Sequence, residues 1–239
     1  MQDRGGIEKE TILTTVLVTG ADRGIGEALC IAFAARGDAT IGACLGNSSL
    51  LSARGVEVVA GIDVTSDDAV AKLVAVMSGR RIDMLVHNAG LVVEAPLGSF
   101  DFLAMQKEYE VNALGPLRVT QALLPLLGAG SKIGVITSRV GSLGDNTSGG
   151  LYGYRMSKAA ANMAGLNLAR DLKARGIAVV CLHPGSVRTQ MALGLNDTST
   201  VGALVECEVA ARGLIARLDE LTLASTGMFR HANGETLPW

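Results

Sequence analysis

Residues 15–36 read TVLVTGADRGIGEALCIAFAAR, and this stretch decides the fold. Its first five residues form an apolar run that predicts a buried strand, and the spacing from residue 26 to residue 36 predicts a helix. Between them lie Gly20, Gly24 and Gly26, which allow a tight turn and a close approach of the backbone to a phosphate. Free N–H groups at the start of the helix favour an anion there. The turn predicts a dinucleotide-binding βα unit, and an ordinary tight βα turn is the alternative.

Five further apolar runs, rich in valine and isoleucine, follow this unit. They span residues 39–44, 56–61, 83–88, 132–137 and 177–182. Helical spacing lies between them at residues 67–78, 102–127 and 151–175. Alternating strands and helices predict βαβ crossovers, and continuous apolar runs are typical of strands covered on both faces. We therefore expect an α/β fold with a doubly wound parallel sheet and helices on both faces, whose ligands bind at the carboxyl ends of the strands.

The composition narrows the class of protein. Of the 239 residues, 49% are hydrophobic and only 3% are aromatic, so the chain can bury a large aliphatic core. The formal net charge of −2 lacks the basic excess of nucleic-acid binders, so we expect no nucleic-acid partner. No apolar run is long enough to span a membrane, and the charged N-terminus does not match a signal peptide. We expect a soluble, cytoplasmic protein without a membrane partner.

The domain organisation and the cysteine pattern are simple. Residues 1–10 are expected to be a loose N-terminal extension, and residues 11–239 a single dinucleotide-binding catalytic domain. The cysteines have no CxxC pair and no nearby histidine at zinc-ligand spacing. We therefore expect no metal site and four buried free thiols, at Cys30, Cys44, Cys181 and Cys207.

Further motifs follow the strands in order. They are Asp63-Val64, Asn88-Ala89-Gly90, Asn112, Ser138, Tyr154-Arg155-Met156-Ser157-Lys158 and Pro184-Gly185. Together with the glycine turn, they resemble the short-chain dehydrogenase/reductase family over nearly the whole chain. Residues 138–163 and the terminal GETLPW are similar to the C-factor and sniffer-type carbonyl reductase branch. The resemblance implies a Rossmann fold and an oxidoreductase that transfers hydride between a nicotinamide cofactor and a carbonyl or secondary alcohol.

Tyr154 is the residue expected to donate the proton that such a transfer needs. A free phenol titrates near about 10, so a cation beside it is needed to favour the phenolate. Among the three tyrosines, only Tyr154 is followed by a lysine four residues on, which places Lys158 one helical turn away on the same face. A chance pair on a helix surface is the alternative.

Ser138 and Asn112 complete the catalytic set that the resemblance implies. Ser138 follows the fifth strand directly and could hydrogen-bond the substrate carbonyl, whereas Ser142 is its structural competitor. In the family, the residue at the place of Asn112 stabilises a helix distortion and a water in a proton relay through Lys158.

Arg23 carries the expected cofactor preference. In NAD enzymes an acid at the carboxyl end of the second strand receives the ribose hydroxyls. Asp38 precedes that strand and would lie at its wrong end, whereas Arg23 could pair with a 2′-phosphate. We expect NADP(H), with NAD(H) as the alternative.

The resemblance implies cofactor contacts by Gly20, Asp22, Arg23, Gly24, Ile25, Gly26, Asp63, Val64, Asn88, Ala89, Gly90, Tyr154, Lys158, Pro184, Gly185, Val187 and Thr189. Asp63 could accept from the adenine amino group or cap the next helix.

The substrate and the assembly are less constrained. Residues 186–200 have the character of a lid, and Met191, Leu193 and Leu195 predict an apolar pocket wall. We expect a small-molecule carbonyl or alcohol substrate with some apolar surface. A cofactor-binding signalling protein of the C-factor type, with little turnover, is the alternative. The resemblance implies a homo-dimer or homo-tetramer that forms through the long helices.

Overall fold

The computed structural model describes residues 13–94, 96–195 and 203–239, so the expected extension at residues 1–10 lies outside the described residues. Seven strands in the described part form one sheet in the order β3-β2-β1-β4-β5-β6-β7, and every neighbouring pair is parallel. They are β1 (Thr15–Thr19), β2 (Ala39–Cys44), β3 (Glu57–Ala60), β4 (Met84–His87), β5 (Lys132–Ile136), β6 (Ala178–His183) and β7 (Met228–His231). The strand order reverses between β1 and β4, and the doubly wound parallel sheet is confirmed.

Helices pack on both faces of this sheet. They are α1 (Gly24–Arg36), α2 (Ser49–Ala53), α3 (Asp67–Met77), α4 (Phe102–Tyr109), α5 (Gly115–Leu123), α6 (Tyr152–Leu172), α7 (Gln190–Leu193) and α8 (Cys207–Asp219). Side chains of β1 alternate between the two faces: Leu17 lies in the core cluster that includes residues of α3, α5 and α6, while Val16 and Val18 lie in the cluster with α1 and α8. Within the described ranges, no helix is both long enough and apolar enough to cross a membrane.

Local sequence signals set the helix ends. Gly37 and Gly176 adopt φ values of 95° and 73° after α1 and after the short 3₁₀ turn that ends α6, as expected of glycine at a helix C-terminus. Ser66 caps α3, and its hydroxyl accepts a hydrogen bond from the Ala69 N–H at 3.3 Å. The ends of α1 and α6 and the start of α3 therefore fall at residues suited to a helix terminus.

The helical stretch predicted at residues 102–127 is present but divided into shorter pieces. After α4 the chain forms a π-helical segment, Glu110–Leu114, before α5 begins at Gly115. The side chain of Asn112 bonds sideways to Leu91, and Pro116 lacks the N–H that would continue an α-helical ladder back to residue 112. A short 3₁₀ turn, Leu124–Leu126, then ends the run.

Two other expectations need correction. The sheet extends beyond the predicted strands, because β7 pairs with β6 and α8 covers the sheet near it. Cys30, Cys44 and Cys181 are buried free thiols as expected, but Cys207 is only partly buried because it begins α8 at the surface.

Candidate active site

Two turns meet at the carboxyl ends of β1 and β4. Gly20 and Gly24 have φ values of 62° and 59°, which glycine adopts at little cost. A Cβ at Gly20 would lie 2.6 Å from the Ala89 Cα, so no side chain fits there. The Asn88 amide donates to the Gly20 carbonyl at 2.8 Å and to the Thr19 carbonyl at 3.1 Å. The glycine turn and the Asn-Ala-Gly turn therefore form one rigid unit.

The start of α1 has the features of an anion site. Arg23 occupies the N-cap position in extended conformation, and its side chain makes no capping hydrogen bond. N–H groups in the first turn of a helix have no intrahelical acceptor, so those of Gly24, Ile25 and Gly26 suit a pyrophosphate. Asp22 is partly buried beside them, whereas Arg23 is exposed, and its side chain has no hydrogen bond or salt bridge to any described residue. These residues fit a dinucleotide.

The carboxyl end of β2 carries no acid. Leu45 and Gly46 follow the strand, and the Leu45 side chain is 65% exposed. Asp38 precedes β2, as expected, and its carboxylate pairs with the Arg36 Nε at 2.7 Å at the opposite edge of the sheet. A 2′-phosphate on the adenosine ribose would therefore meet no carboxylate from β2.

Asp63 and Val64 follow β3. The Asp63 carboxylate accepts hydrogen bonds from the Thr65 N–H at 2.9 Å and from the Thr65 hydroxyl at 2.7 Å. These bonds hold the pKa of Asp63 below its usual value. Val64 is buried, and its carbonyl accepts a hydrogen bond from Arg118. Asp63 thus fixes the turn before α3, while Ser66 provides the helix cap.

Ser138, Tyr154 and Lys158 come together at the carboxyl end of β5. The Ser138 hydroxyl lies beside the Tyr154 phenol, where it lowers the pKa of that phenol. The Lys158 ammonium lies 5.6 Å from the centre of the Tyr154 ring and donates to the Ile136 carbonyl at 3.0 Å. A Cβ at Gly141 would lie 2.7 Å from the Lys158 carbonyl carbon, so the loop after Ser138 packs directly on α6.

The pKa of Tyr154 differs in direction from what the neighbouring lysine alone predicts. Burial raises the pKa of Tyr154 to about 12, against the hydrogen bond from Ser138, and the charge of Glu108 adds to the rise. Burial also lowers the pKa of Lys158 to about 8. The expected fall in the phenol pKa beside Lys158 is therefore outweighed by burial. Tyr154 is protonated at neutral pH, where Lys158 remains cationic.

Asn112 lies in the π-helical segment and joins three parts of the site. Its amide oxygen accepts from the Leu91 N–H at 2.8 Å, and its amide nitrogen donates to the Leu91 carbonyl and to the Ser157 hydroxyl, each at 2.8 Å. Ser157 in turn donates to the Tyr154 carbonyl. The Asn112 oxygen lies 3.4 Å from the Cβ position of Gly90. The helix distortion that the family resemblance implies is present here.

The segment from Pro184 to Thr189 lies beside the glycine turn. Gly185 has a φ of 90°, and Val187 is buried in a bridge with Val205. The Thr189 hydroxyl caps α7, and its methyl group lies 3.4 Å from the Cβ position of Gly24. Of the region expected to form a lid, residues 196–200 lie outside the described residues.

The side chains expected to form an apolar wall lie at α7 and just after it. Met191 and Leu193 are on α7 and are 39% and 61% exposed, and Leu195 directly precedes residue 196.

Three residues near the site have roles that the sequence left open or did not indicate. Ser142 is structural, because its hydroxyl donates to the Trp239 carbonyl at 3.0 Å and accepts from the Asp145 N–H at 3.1 Å. Arg155 is buried, and its guanidinium donates to the Val140 carbonyl and the Ser148 hydroxyl, which fixes the loop after Ser138. Glu108, fully buried, stands one turn before Asn112. Its spacing to Asn112 is the one signal in the sequence that could have marked it.

Two bacterial proteins have sequences similar to that of this chain. The 1-hydroxy-2-glutathionyl-2-methyl-3-butene dehydrogenase of Rhodococcus sp. (strain AD45) is 45% identical over 229 residues, covering 95% of this chain and 100% of the relative. The C-signal protein of Myxococcus xanthus is 42% identical over 161 residues, covering 66% of this chain and 93% of the relative.

Two solved structures of carbonyl reductases share the fold of this chain. The NADPH-bound carbonyl reductase from chicken fatty liver superposes with a TM-score of 0.82 at 27% identity, over 95% of this chain and 99% of the other. Carbonyl reductase Sniffer of D. melanogaster gives a TM-score of 0.82 at 26% identity, over 95% and 100%. The sequence profile described as short chain dehydrogenase matches residues 14–200. With the glycine turn, Ser138, Tyr154 and Lys158 all at one edge of the sheet, the chain belongs to the short-chain dehydrogenase family.

Proposed function

We propose that this protein is an NADPH-dependent carbonyl reductase that interconverts a ketone or aldehyde and the corresponding alcohol. The reaction consumes the carbonyl compound, NADPH and one proton, and it yields the alcohol and NADP⁺. The single observation that carries the proposal is that Ser138, Tyr154 and Lys158 meet at the carboxyl end of β5. Ser138 lowers the pKa of the Tyr154 phenol, and the Lys158 ammonium lies 5.6 Å from the Tyr154 ring.

Each member of this group has a distinct task in the proposal. Bound NADPH supplies the hydride to the carbonyl carbon. The Tyr154 hydroxyl, protonated at neutral pH, delivers its proton to the carbonyl oxygen as negative charge develops there. The Ser138 hydroxyl orients that oxygen, and Lys158 places a positive charge near the phenol and the nicotinamide ribose. Asn112 fixes the turn of chain beside Lys158 through Leu91.

The preference for NADP(H) rests on the charges around the adenosine end. Arg23 is exposed beside the glycine turn without a carboxylate partner in the described residues, and no acid follows β2. An arginine side chain free to pair with phosphate, and the lack of a carboxylate directly after β2, favour the 2′-phosphate of NADPH. The carbonyl reductase from chicken fatty liver binds NADPH in its crystal structure.

The substrate class follows from the loop between Ser138 and Tyr154 and from one relative. Leu143 lies in this loop and is 84% exposed, so an apolar substrate surface would be stabilised there. The relative from Rhodococcus is named for a hydroxy compound that carries a glutathionyl group on the neighbouring carbon. We include alcohols with a bulky thioether on the neighbouring carbon among the candidate substrates.

A substrate panel tests the proposal. Ketones, aldehydes, and simple and thioether-bearing alcohols are assayed with NADP(H) and NAD(H), using the wild-type protein, Tyr154→Phe and Tyr152→Phe. Tyr152 lies on the same helix turn but is not bonded to Ser138, so it is the matched control. We expect Tyr154→Phe to lose activity by at least about 100-fold with cofactor affinity retained, whereas Tyr152→Phe remains active.

A cofactor-binding signalling protein is the second candidate, favoured by the 42% identity to C-signal. It predicts that wild-type protein and Tyr154→Phe bind NADPH equally and that neither turns over any member of the panel. That result would overturn the reductase proposal.

We further propose that the protein forms a homo-dimer or homo-tetramer through α4 and α6. Phe102 and Leu103 on α4 are 73% and 79% exposed, and Met156 and Met163 on α6 are 61% and 59% exposed. Exposed apolar side chains of this size favour association. Light scattering should give at least twice the 24.6 kDa mass of one chain, and Leu103→Glu should reduce it to one chain mass.

A further inference from the structure

Glu108 is a buried carboxylate near the proposed proton donor. Its side chain is fully buried, and its Oε1 atom accepts a hydrogen bond from the Val93 N–H at 2.8 Å. Its Oε2 atom has no hydrogen-bond partner among the described residues. Buried carboxylates usually have all their oxygens bonded, because desolvating a charge is costly. An oxygen left without a partner beside an active site therefore calls for a functional explanation.

Glu108 touches the helix that carries Tyr154. A Cβ at Gly153 would lie only 2.1 Å from the Glu108 Oε2 and 2.7 Å from the Met105 Cγ. A side chain at Gly153 would therefore displace the Glu108 carboxylate and the Met105 side chain. The next residue of α6 is Tyr154, so the contact between Glu108 and Gly153 sets how closely the phenol approaches α4.

Glu108 also holds the chain that leaves the Asn88-Ala89-Gly90 turn. Asn112 bonds the N–H of Leu91, and Glu108, one turn earlier, bonds the N–H of Val93. Two side chains on successive turns thus fix an extended segment at alternate residues. This segment, residues 91–93, runs from the glycine that faces Lys158 along the wall of the site.

The charged and titratable groups around Tyr154 come from three elements. Glu108 faces it from α4, Lys158 from the next turn of α6, and Ser138 from the end of β5. The Arg155 guanidinium on α6 is bonded to Val140 and Ser148 instead. Burial raises the pKa of Glu108, and the Val93 N–H lowers it. Glu108 is thus the acidic group that opposes phenolate formation.

We propose that Glu108 is a positioning residue of this active site: its carboxylate joins residues 91–93 to the start of α6 and places a negative charge beside Tyr154. The charge keeps the phenol in its protonated, donating form, and the contacts keep it at the right distance from the substrate oxygen. The inference rests on the proposed reductase function, but the state of Tyr154 can be measured without turnover.

Glu108→Gln separates charge from contact. Glutamine can still accept from the Val93 N–H but carries no charge, so Tyr154 should ionise more easily. We expect the ultraviolet phenolate titration of Tyr154, obtained by subtracting that of Tyr154→Phe, to move about one pH unit to the acid side. The pH profile of alcohol oxidation should move the same way. Glu110→Gln, at a partly buried position two residues further on whose carboxylate pairs with Arg118, should move neither.

Glu108→Asp tests the contact. The shorter side chain keeps the charge but cannot reach both Val93 and Gly153, so kcat should fall at least about ten-fold while the pH profile stays in place. An unmoved phenolate titration in Glu108→Gln would overturn the electrostatic part of the proposal. A wild-type kcat in Glu108→Asp would overturn the positioning part. If wild type and Tyr154→Phe are equally inactive, the reductase function fails, yet the titration still decides the effect of the charge.

Discussion

Gly26 and Asn88 lie in direct contact: a Cβ at Gly26 would stand 2.4 Å from the Asn88 Nδ2 and 2.2 Å from the Gly20 carbonyl oxygen. The first helix therefore begins against the turn that follows β4, although the two are more than sixty residues apart in the chain. The cofactor cradle depends on both turns, and a change in one is transmitted to the other.

Gly26→Ala tests this contact. The added methyl group would collide with backbone, which cannot move aside as a side chain can, so the turn must open. We expect NADPH affinity to fall at least about ten-fold and the free energy of unfolding to drop by about 1–3 kcal/mol. Calorimetric titration measures the NADPH affinity, and urea unfolding measures the free energy of unfolding. Gly46→Ala, where a Cβ meets open space, should leave the free energy of unfolding unchanged. Equal stability of the two variants would contradict the contact.

Ser138→Ala and Ser142→Ala should separate catalysis from structure. Without the Ser138 hydrogen bond, which lowers the pKa of Tyr154, the phenolate forms at higher pH. The alcohol oxidation profile should therefore shift to the alkaline side, and kcat should fall by about 100-fold. Ser142→Ala loses its bond to Trp239 and should cost about 1 kcal/mol of unfolding free energy with a smaller effect on kcat. Reversed effects of the two changes would exclude Ser138 as the catalytic serine.

Arg23→Ala should weaken the binding of NADPH and leave the binding of NADH nearly unchanged. Loss of the guanidinium should raise the KM for NADPH by about ten-fold or more and leave the KM for NADH nearly unchanged. Steady-state kinetics with each cofactor measure this, and Arg170→Ala, exposed on α6, is the control for a general change in charge. Higher turnover of the wild-type protein with NADH than with NADPH would refute the cofactor preference.

The sequence was a good guide to the sheet and to the glycine turn. Runs such as residues 15–19 and 39–44 contain only apolar residues, glycine and threonine, and a short run of this kind is typical of a strand covered on both faces. The sequence did not predict β7, because only Phe229 of its four residues is buried and the strand therefore has no apolar run. The predicted order of strand and helix was enough to place Ser138 and Tyr154 at one edge.

Other parts of the site depend on contacts that local sequence does not record. The π-helical segment arises because Asn112 bonds Leu91, twenty-one residues away. The burial that raises the pKa of Tyr154 is a tertiary property, so a reading based on Lys158 alone gave the opposite direction. The role of Ser142 depends on a partner 97 residues further along the chain.

His87 should make the protein sensitive to acid. It is buried, its Nε2 lies 2.8 Å from the Thr120 hydroxyl, and burial lowers its pKa from 6.5 to about 3. The unfolded chain binds a proton below pH 6.5 that the folded chain does not, so stability falls as the pH drops from 6.5 towards 3. Between about pH 7 and pH 5, we expect the wild-type protein to lose about 2 kcal/mol more than His87→Gln in urea unfolding. Parallel curves for both proteins would contradict this.

The bond between Ser142 and the Trp239 carbonyl has a consequence for how the enzyme is made. Strands β1 to β5 and the glycine turn are all synthesised before residue 140, and domains begin to fold while synthesis continues. Arg155 can hold the loop that follows Ser138 once α6 has formed, but the Ser142 side chain in that loop gains its partner only when Trp239 has left the ribosome. A nascent chain can therefore form the glycine turn and the Asn-Ala-Gly turn well before the Ser142 side chain meets its distant partner.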